Sequence, residues 1–184
     1  TMGYHLCPSP YFATVLLGGP PILAGGSESL KGTLLPELAA AKRIATLALL
    51  EAGAGGVGEA IRVPARACAG GYEIDGVKLF VPYAHVADVL LCAVRTDADA
   101  APEKAVTLFL LERGRPGVSI NLLKSLGDDR QCEVVFSGVR VTAEWPDGRV
   151  TTVVSDAAGA FTVHTVLAGE YRLSIAARDR KSVV

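Results

Sequence analysis

The feature that most limits the possible folds of this chain is an apolar run that ends in an acid and a cluster of glycines. Ile44–Leu50 is the run, and Glu51 is followed by Gly53, Gly55 and Gly56. Such a run is typical of a strand that is covered on both faces. The glycines after it allow a turn whose backbone can approach another molecule closely. We therefore expect a core strand that delivers backbone to a binding surface.

Downstream of this run, the sequence predicts short strands separated by turns. The segments are Arg62–Cys68, Tyr72–Ile74, Val77–Val81, Ala87–Arg95, Val106–Glu112, Gly117–Leu123 and Cys132–Val141. Asp75-Gly76 suits a type I′ turn, so we expect a hairpin there. Strands and helices do not alternate after Ile44, which disfavours a Rossmann fold. The predicted class is mainly β, an antiparallel barrel or sandwich with short N-terminal helices.

Residues 1–42 carry a helical pattern instead. Ser27 is a candidate N-cap, because its hydroxyl can accept a hydrogen bond from the first turn. The leucines that follow at i, i+4 and i+8 share one face: Leu30, Leu34 and Leu38. We expect Gly18–Pro21 to break the first helix and Pro36 to interrupt the second. A broken apolar run at Tyr11–Ala24 also argues against a membrane-spanning helix.

Charge and cysteine usage exclude several classes of function. The net charge is −1, and there is no basic arm, so we expect neither nucleic acid nor a membrane as a partner. The cysteines are scattered and lack a CxxC spacing: Cys7, Cys68, Cys92 and Cys132. Because the histidines are equally scattered, we predict buried free thiols and no metal site. With no signal-peptide pattern at Thr1–Cys7, a cytoplasmic location is expected.

Three further segments occur in the order found in one enzyme family. Ala48–Gly55 is similar to its "TEPGAGSD" motif, and Gly71–Phe80 to its hairpin that ends in a Lys-x-Trp/Phe-x-Thr element. Asp128–Arg140 is similar to its "R…EVVFDDVRVP" strand. The family is that of the acyl-CoA dehydrogenases. The resemblance implies helices from the end of an N-terminal helical domain over 1–42, a middle β-barrel domain over 43–144, and an appended β-strand segment over 145–184.

The resemblance also implies a function and a cofactor site. The family removes an α-proton and a β-hydride from acyl-CoA thioesters with FAD, and passes electrons to an electron-transfer flavoprotein. Carried over by position, the contacts to the flavin ring fall on Leu47, Leu49 and Leu50. The pyrophosphate contact falls on Gly56, and the remaining contacts on Phe80 and Pro82. The aromatic ring at Phe80 is expected to pack on the flavin.

Several departures from the family pattern lead us to expect weaker FAD binding. Two family threonines are Leu50 and Pro82 here, and a family serine is Gly56. Each lost hydrogen bond to a cofactor costs on the order of 1 kcal/mol. The family's catalytic glutamate lies in a C-terminal helical domain that this sequence does not match, so we expect an inactive fragment without a catalytic residue. Glu51 is interpreted as a strand-end carboxylate capped by amides of its glycine loop.

Residues 148–176 resemble a carboxypeptidase-regulatory-like or transthyretin-like β module. Strands are predicted at Arg149–Ser155, Phe161–His164 and Tyr171–Ala176. This second resemblance suggests that the chain joins two unrelated proteins, by fusion or frameshift. The alternative function is a non-catalytic β-rich binding domain. Uncovered apolar surface would then favour a homo-oligomer.

Two smaller groups of residues are open to more than one interpretation. His85 and Tyr83 are compatible with an acid–base pair, but a loop histidine is more often solvated. Asp128-Asp129-Arg130 is compatible with a charged functional loop, but a surface turn with an interdomain ion pair is the simpler interpretation. No Ser/His/Asp or Cys/His catalytic arrangement is evident.

Overall fold

The computed structural model describes residues 8–53, 61–69, 71–98, 105–127, 129–142 and 171–173. These residues form three layers: N-terminal helices, a first four-stranded sheet and a second four-stranded sheet. The mainly β class with short N-terminal helices is therefore confirmed. Within the described ranges, no helix is long and apolar enough to cross a membrane.

The first helical stretch continues through the glycines and prolines that were predicted to break it. A π-helical segment, Ala13–Gly18, leads directly into helix α1, Gly19–Gly25. The break is absent because the prolines lie in the first turn of α1, where a missing N–H costs little. Gly18 has a packing role, since a Cβ added there would lie 2.5 Å from the Cβ of Ala45.

Helix α2, Glu28–Ala39, begins as predicted but does not end as predicted. The Ser27 hydroxyl accepts a hydrogen bond from the Leu30 amide at 3.1 Å, which confirms the N-cap. The expected interruption at Pro36 is wrong, because the helix continues to Ala39. Pro36 forfeits one backbone hydrogen bond. Burial of the leucine face against the first sheet compensates for that loss.

The first sheet has the strand order β1 (Ala45–Ala48), β4 (Val89–Arg95), β5 (Val106–Glu112) and β8 (Tyr171–Leu173). β1 is parallel to β4, and the other two pairings are antiparallel. Both faces of β4 are covered. Leu91 packs towards the helices, and Cys92 packs towards the second sheet. This double coverage explains why β1 and β4 are almost entirely apolar.

The second sheet is antiparallel, with the order β2 (Ala65–Cys68), β3 (Gly71–Pro82), β7 (Gln131–Thr142) and β6 (Val118–Leu122). A core of buried side chains fills the space between this sheet and the first. Of the C-terminal segment, only Tyr171–Leu173 is described, pairing with β5. The strands predicted at Arg149–Ser155 and Phe161–His164 lie outside the described residues.

The predicted hairpin at Asp75-Gly76 is wrong, because β3 is one continuous strand. The Asp-Gly pair forms a bulge instead, where the register against β7 shifts between Ile74 and Gly76. Gly76 has φ 151°, and a Cβ there would lie 2.7 Å from the Val63 side chain. The carboxylate of Asp75 accepts a hydrogen bond from the Gly138 amide at 2.7 Å. β3 and β7 thus pair on both sides of the position where a turn was predicted.

We predict opposite effects for alanine at two glycines. Gly76→Ala should destabilise the protein by about 1–3 kcal/mol, because its Cβ would overlap Val63. The control is Gly32→Ala in α2, where an added Cβ meets nothing within 4 Å. That change should stabilise the protein by about 0.5–1 kcal/mol. Urea unfolding measures both, and a Gly76→Ala variant as stable as the wild type would contradict the bulge.

Candidate functional site

The end of β1 and the second half of β3 lie side by side. The Thr46 hydroxyl donates a hydrogen bond to the Pro82 carbonyl at 2.6 Å. Further along, the Leu79 amide donates to the Leu50 carbonyl at 2.8 Å. The structure therefore brings together two sequence-distant segments, Leu47–Leu50 and Phe80–Pro82. We refer to these two segments as the β1–β3 wall.

A bulge in β3 directs Phe80 outwards. In the pairing with β7, Lys78 is opposite Val134 and Val81 is opposite Cys132, so β3 has one extra residue between the two pairs. Lys78 and Val81 are buried, whereas Phe80 is 57% exposed. Its φ is 54°, which is rare for a bulky residue and is often found at functional sites. The bulge therefore places a large aromatic ring at the surface of the wall.

The other predicted site residues of the wall are apolar and partly exposed. Leu50 is 41% exposed, and Leu47, Leu49 and Pro82 are half-buried. Gly56 lies outside the described residues. Three backbone carbonyls of the wall already accept hydrogen bonds. The Leu49 carbonyl accepts one from the Lys78 ammonium, and the Leu50 carbonyl accepts one from the Leu79 amide. The Pro82 carbonyl accepts one from the Thr46 hydroxyl. The wall thus offers apolar contact.

A buried ion pair lies directly beneath this wall. The Lys78 Nζ is 2.5 Å from Oε1 of Glu51, and the two side chains are 0% and 8% exposed. Glu51 also accepts hydrogen bonds from the amides of Arg62 at 2.9 Å and Val63 at 3.1 Å. The predicted capping by backbone amides is present. Its donors follow the glycine-rich segment, however, and do not belong to it.

The sequence analysis did not predict that Lys78 is buried. The feature that could have indicated it is a single charged side chain within the apolar run Val77–Val81, where the alternation of a strand does not require a charge. A single acid at the end of another apolar run, Glu51, was the matching signal. A charge in such a place is seldom buried without a partner.

The free thiols are mostly buried, as predicted. Burial raises the pKa of Cys92 to about 12, while the nearby Lys78 ammonium lowers it and the Glu51 carboxylate raises it. Burial also raises the pKa of Cys132. Cys68 is exposed, so the prediction fails there, and Cys7 lies outside the described residues. Neutral, buried thiols are poor nucleophiles. The described residues contain no group of three or more metal-ligating side chains.

His85 is half-buried in the turn after β3. Its ring stacks on Tyr83, with centroids 6.3 Å apart and planes at 21°. Its Nδ1 is 3.4 Å from Sγ of Cys132. These contacts position the imidazole on the protein and do not resemble a proton relay. Asp129 is exposed and hydrogen-bonded to the Ser125 hydroxyl, which lowers the Asp129 pKa.

A groove extends from Pro82 to the first helical stretch. Its volume is about 420 Å³. Apolar side chains form much of its lining, which also includes Tyr83, Asp129 and Gln131. Phe12 and Leu16, on the helical side, are 68% and 58% exposed. The wall is therefore continuous with a second apolar surface of a size that suits a small organic group.

Comparison with known proteins identifies relatives of this fold. The family model "Acyl-CoA dehydrogenase, middle domain" matches residues 46–139. Mitochondrial isovaleryl-CoA dehydrogenase of Pongo abelii is 31% identical over 66% of this chain and 30% of its own length. L-prolyl-[peptidyl-carrier protein] dehydrogenase of Serratia sp. (strain ATCC 39006) is 35% identical over 65% of this chain and 31% of its own length. The solved FAD complex of PigA has a TM-score of 0.65 at 30% identity, over 71% of this chain and 34% of that one. The chain thus spans about a third of the length of each.

Proposed function

Because this chain belongs to the acyl-CoA dehydrogenase family, we propose that its β1–β3 wall is the part of an FAD site that packs against the flavin ring. The supporting observation is the bulge that holds Phe80 outwards at φ 54° beside the exposed Leu50. A solved relative with this fold, PigA, is an FAD complex. The wall presents an exposed aromatic ring and apolar side chains, and such a ring can stack on another aromatic ring.

The residues of the wall fit a flavin ring by shape better than by hydrogen bonding. Phe80 supplies the stacking surface, while Leu47, Leu49 and Leu50 supply apolar contact beside it. Leu50 and Pro82 have no side-chain hydrogen-bonding group, and Pro82 also lacks an N–H. Affinity for FAD should therefore depend mainly on packing. Gly56 is the proposed contact for the pyrophosphate.

Bound FAD would supply the hydride acceptor for α,β-dehydrogenation of an acyl thioester. We assign no catalytic base to the described residues of this chain. Glu51 is unsuitable as a base, since its carboxylate is 8% exposed and paired with Lys78. It also accepts hydrogen bonds from two backbone amides. The proposed contribution of this chain is binding and orientation.

The groove beside Pro82 is the proposed site for the acyl group. It adjoins the wall and is lined by apolar side chains such as Phe12 and Leu16. An acyl thioester lying there would have its chain against the helices and its reacting carbons near the flavin. An electron-transfer flavoprotein is the proposed electron acceptor. The exposed Phe12, Leu16 and Leu23 form apolar surface that also suits another subunit.

Phe80→Ala should weaken FAD binding about tenfold, which corresponds to about 1.4 kcal/mol. Phe80 is 57% exposed, so its loss should leave the melting temperature nearly unchanged. Val77→Ala is the control, because Val77 is a 40% exposed residue elsewhere on β3. A fluorescence titration with FAD measures all three proteins. No FAD binding by the wild type, or equal binding by Phe80→Ala, would contradict the proposal.

Pro82→Thr should strengthen FAD binding relative to Pro82→Val. The two replacements have similar shapes and both restore the backbone N–H, so they differ in the hydroxyl group alone. One hydrogen bond to the flavin is worth about 1 kcal/mol, or about a fivefold difference in affinity. The same titration compares the two variants. Identical affinities would show that position 82 does not face a hydrogen-bonding edge of the flavin.

A further inference from the structure

Lys78 lies beneath the wall and holds the backbone that follows β1. Its side chain is fully buried. Its Nζ is 2.5 Å from Oε1 of Glu51, and it donates a hydrogen bond to the Leu49 carbonyl at 3.2 Å. These two acceptors flank Leu50, which faces outwards on the wall. One ammonium group therefore holds the chain on both sides of a proposed flavin contact.

Glu51 extends this constraint to the other end of the glycine-rich segment. The amides of Arg62 and Val63 donate to its carboxylate at 2.9 and 3.1 Å. The Glu51 carboxylate therefore binds the backbone that follows the glycine-rich segment. The ion pair thus ties the backbone just after β1 to the backbone at Arg62 and Val63.

Stability alone gives little reason for two charges at this place. Replacing a buried ion pair with apolar residues of similar volume is often neutral or stabilising, whereas removing one partner is strongly destabilising. Cys92, whose thiol pKa is shifted by burial and by both charges of the pair, is fully buried. Two apolar side chains would fill the same space. They would not, however, hold the Leu49 carbonyl or the amides of Arg62 and Val63.

We propose that Lys78 is a positioning residue for the flavin site, acting through Glu51 and the Leu49 carbonyl to fix the backbone that contacts FAD. This inference rests on the proposed function. Lys78 itself lies under the wall and does not touch the cofactor. Its role is to set where Leu50 and the start of the glycine-rich segment lie relative to Phe80.

The test separates positioning from stability with a double variant, Lys78→Met/Glu51→Leu. Lys78→Met alone leaves a buried carboxylate unpaired and should lower the melting temperature strongly. The double variant removes both charges and should melt close to the wild type. If Lys78 positions the site, the double variant still binds FAD at least tenfold more weakly than the wild type. Binding within threefold of the wild type at equal melting temperature would overturn the proposal.

Leu108→Ala is the matched control for loss of stability. Leu108 is fully buried on β5, which does not pair with β1, and its truncation should lower the melting temperature without touching the ion pair. It should bind FAD as the wild type does at temperatures where both are folded. A Leu108→Ala variant that loses FAD binding as strongly as the double variant would overturn the assignment to Lys78.

Hydrogen exchange distinguishes failure of this inference from failure of the proposed function. If the wild type takes up no FAD, the proposed function fails. The positioning of the backbone by Lys78 is then tested by amide exchange in the FAD-free protein. The amides of Arg62 and Val63 and the Leu79 amide, which donates to the Leu50 carbonyl at 2.8 Å, should exchange at least tenfold faster in the double variant than in the wild type at equal melting temperature. Unchanged exchange at these amides would overturn the positioning role.

Discussion

The buried contact between Lys78 and Glu51 is the constraint on which the arrangement of the site depends. An unpaired charge in this position would cost several kcal/mol, so β3 must place Lys78 where the end of β1 supplies a carboxylate. A shift of β3 by one residue would turn Lys78 outwards and Phe80 inwards. The same contact that satisfies the two charges therefore also sets the outward direction of the aromatic ring.

The three layers explain why the site forms at this edge of the molecule. Helix α2 covers one face of the first sheet, and the second sheet covers the other. Almost all of the apolar surface of β1 is used in that packing. The residues just after β1, Leu49 and Leu50, pass beyond the sheet and meet the bulged half of β3. The proposed flavin surface thus lies where the chain after β1 and the second half of β3 extend beyond the buried core.

Local patterns in the sequence predicted those features that depend on local forces. The Ser27 cap and the leucine face of α2 follow from helix geometry, and the apolar Ile44–Leu50 run follows from double coverage of its strand. Asp75-Gly76 was misread because the same dipeptide suits a turn and a bulge, and pairing along β7 decides between them. Pro36 was misread because packing outweighs one lost hydrogen bond. The burial of Lys78 depends on Glu51, 27 residues away. Local patterns mark each charge as unusual in its apolar run, but they do not show that the two side chains meet.

A crystal structure of this chain grown with FAD tests the central claim most directly. The account predicts that the flavin ring lies against Phe80, between Leu47–Leu50 and Phe80–Pro82, with the Lys78–Glu51 contact intact beneath it. A flavin bound at another surface, or a Phe80 side chain packed into the core with a negative φ, would contradict it.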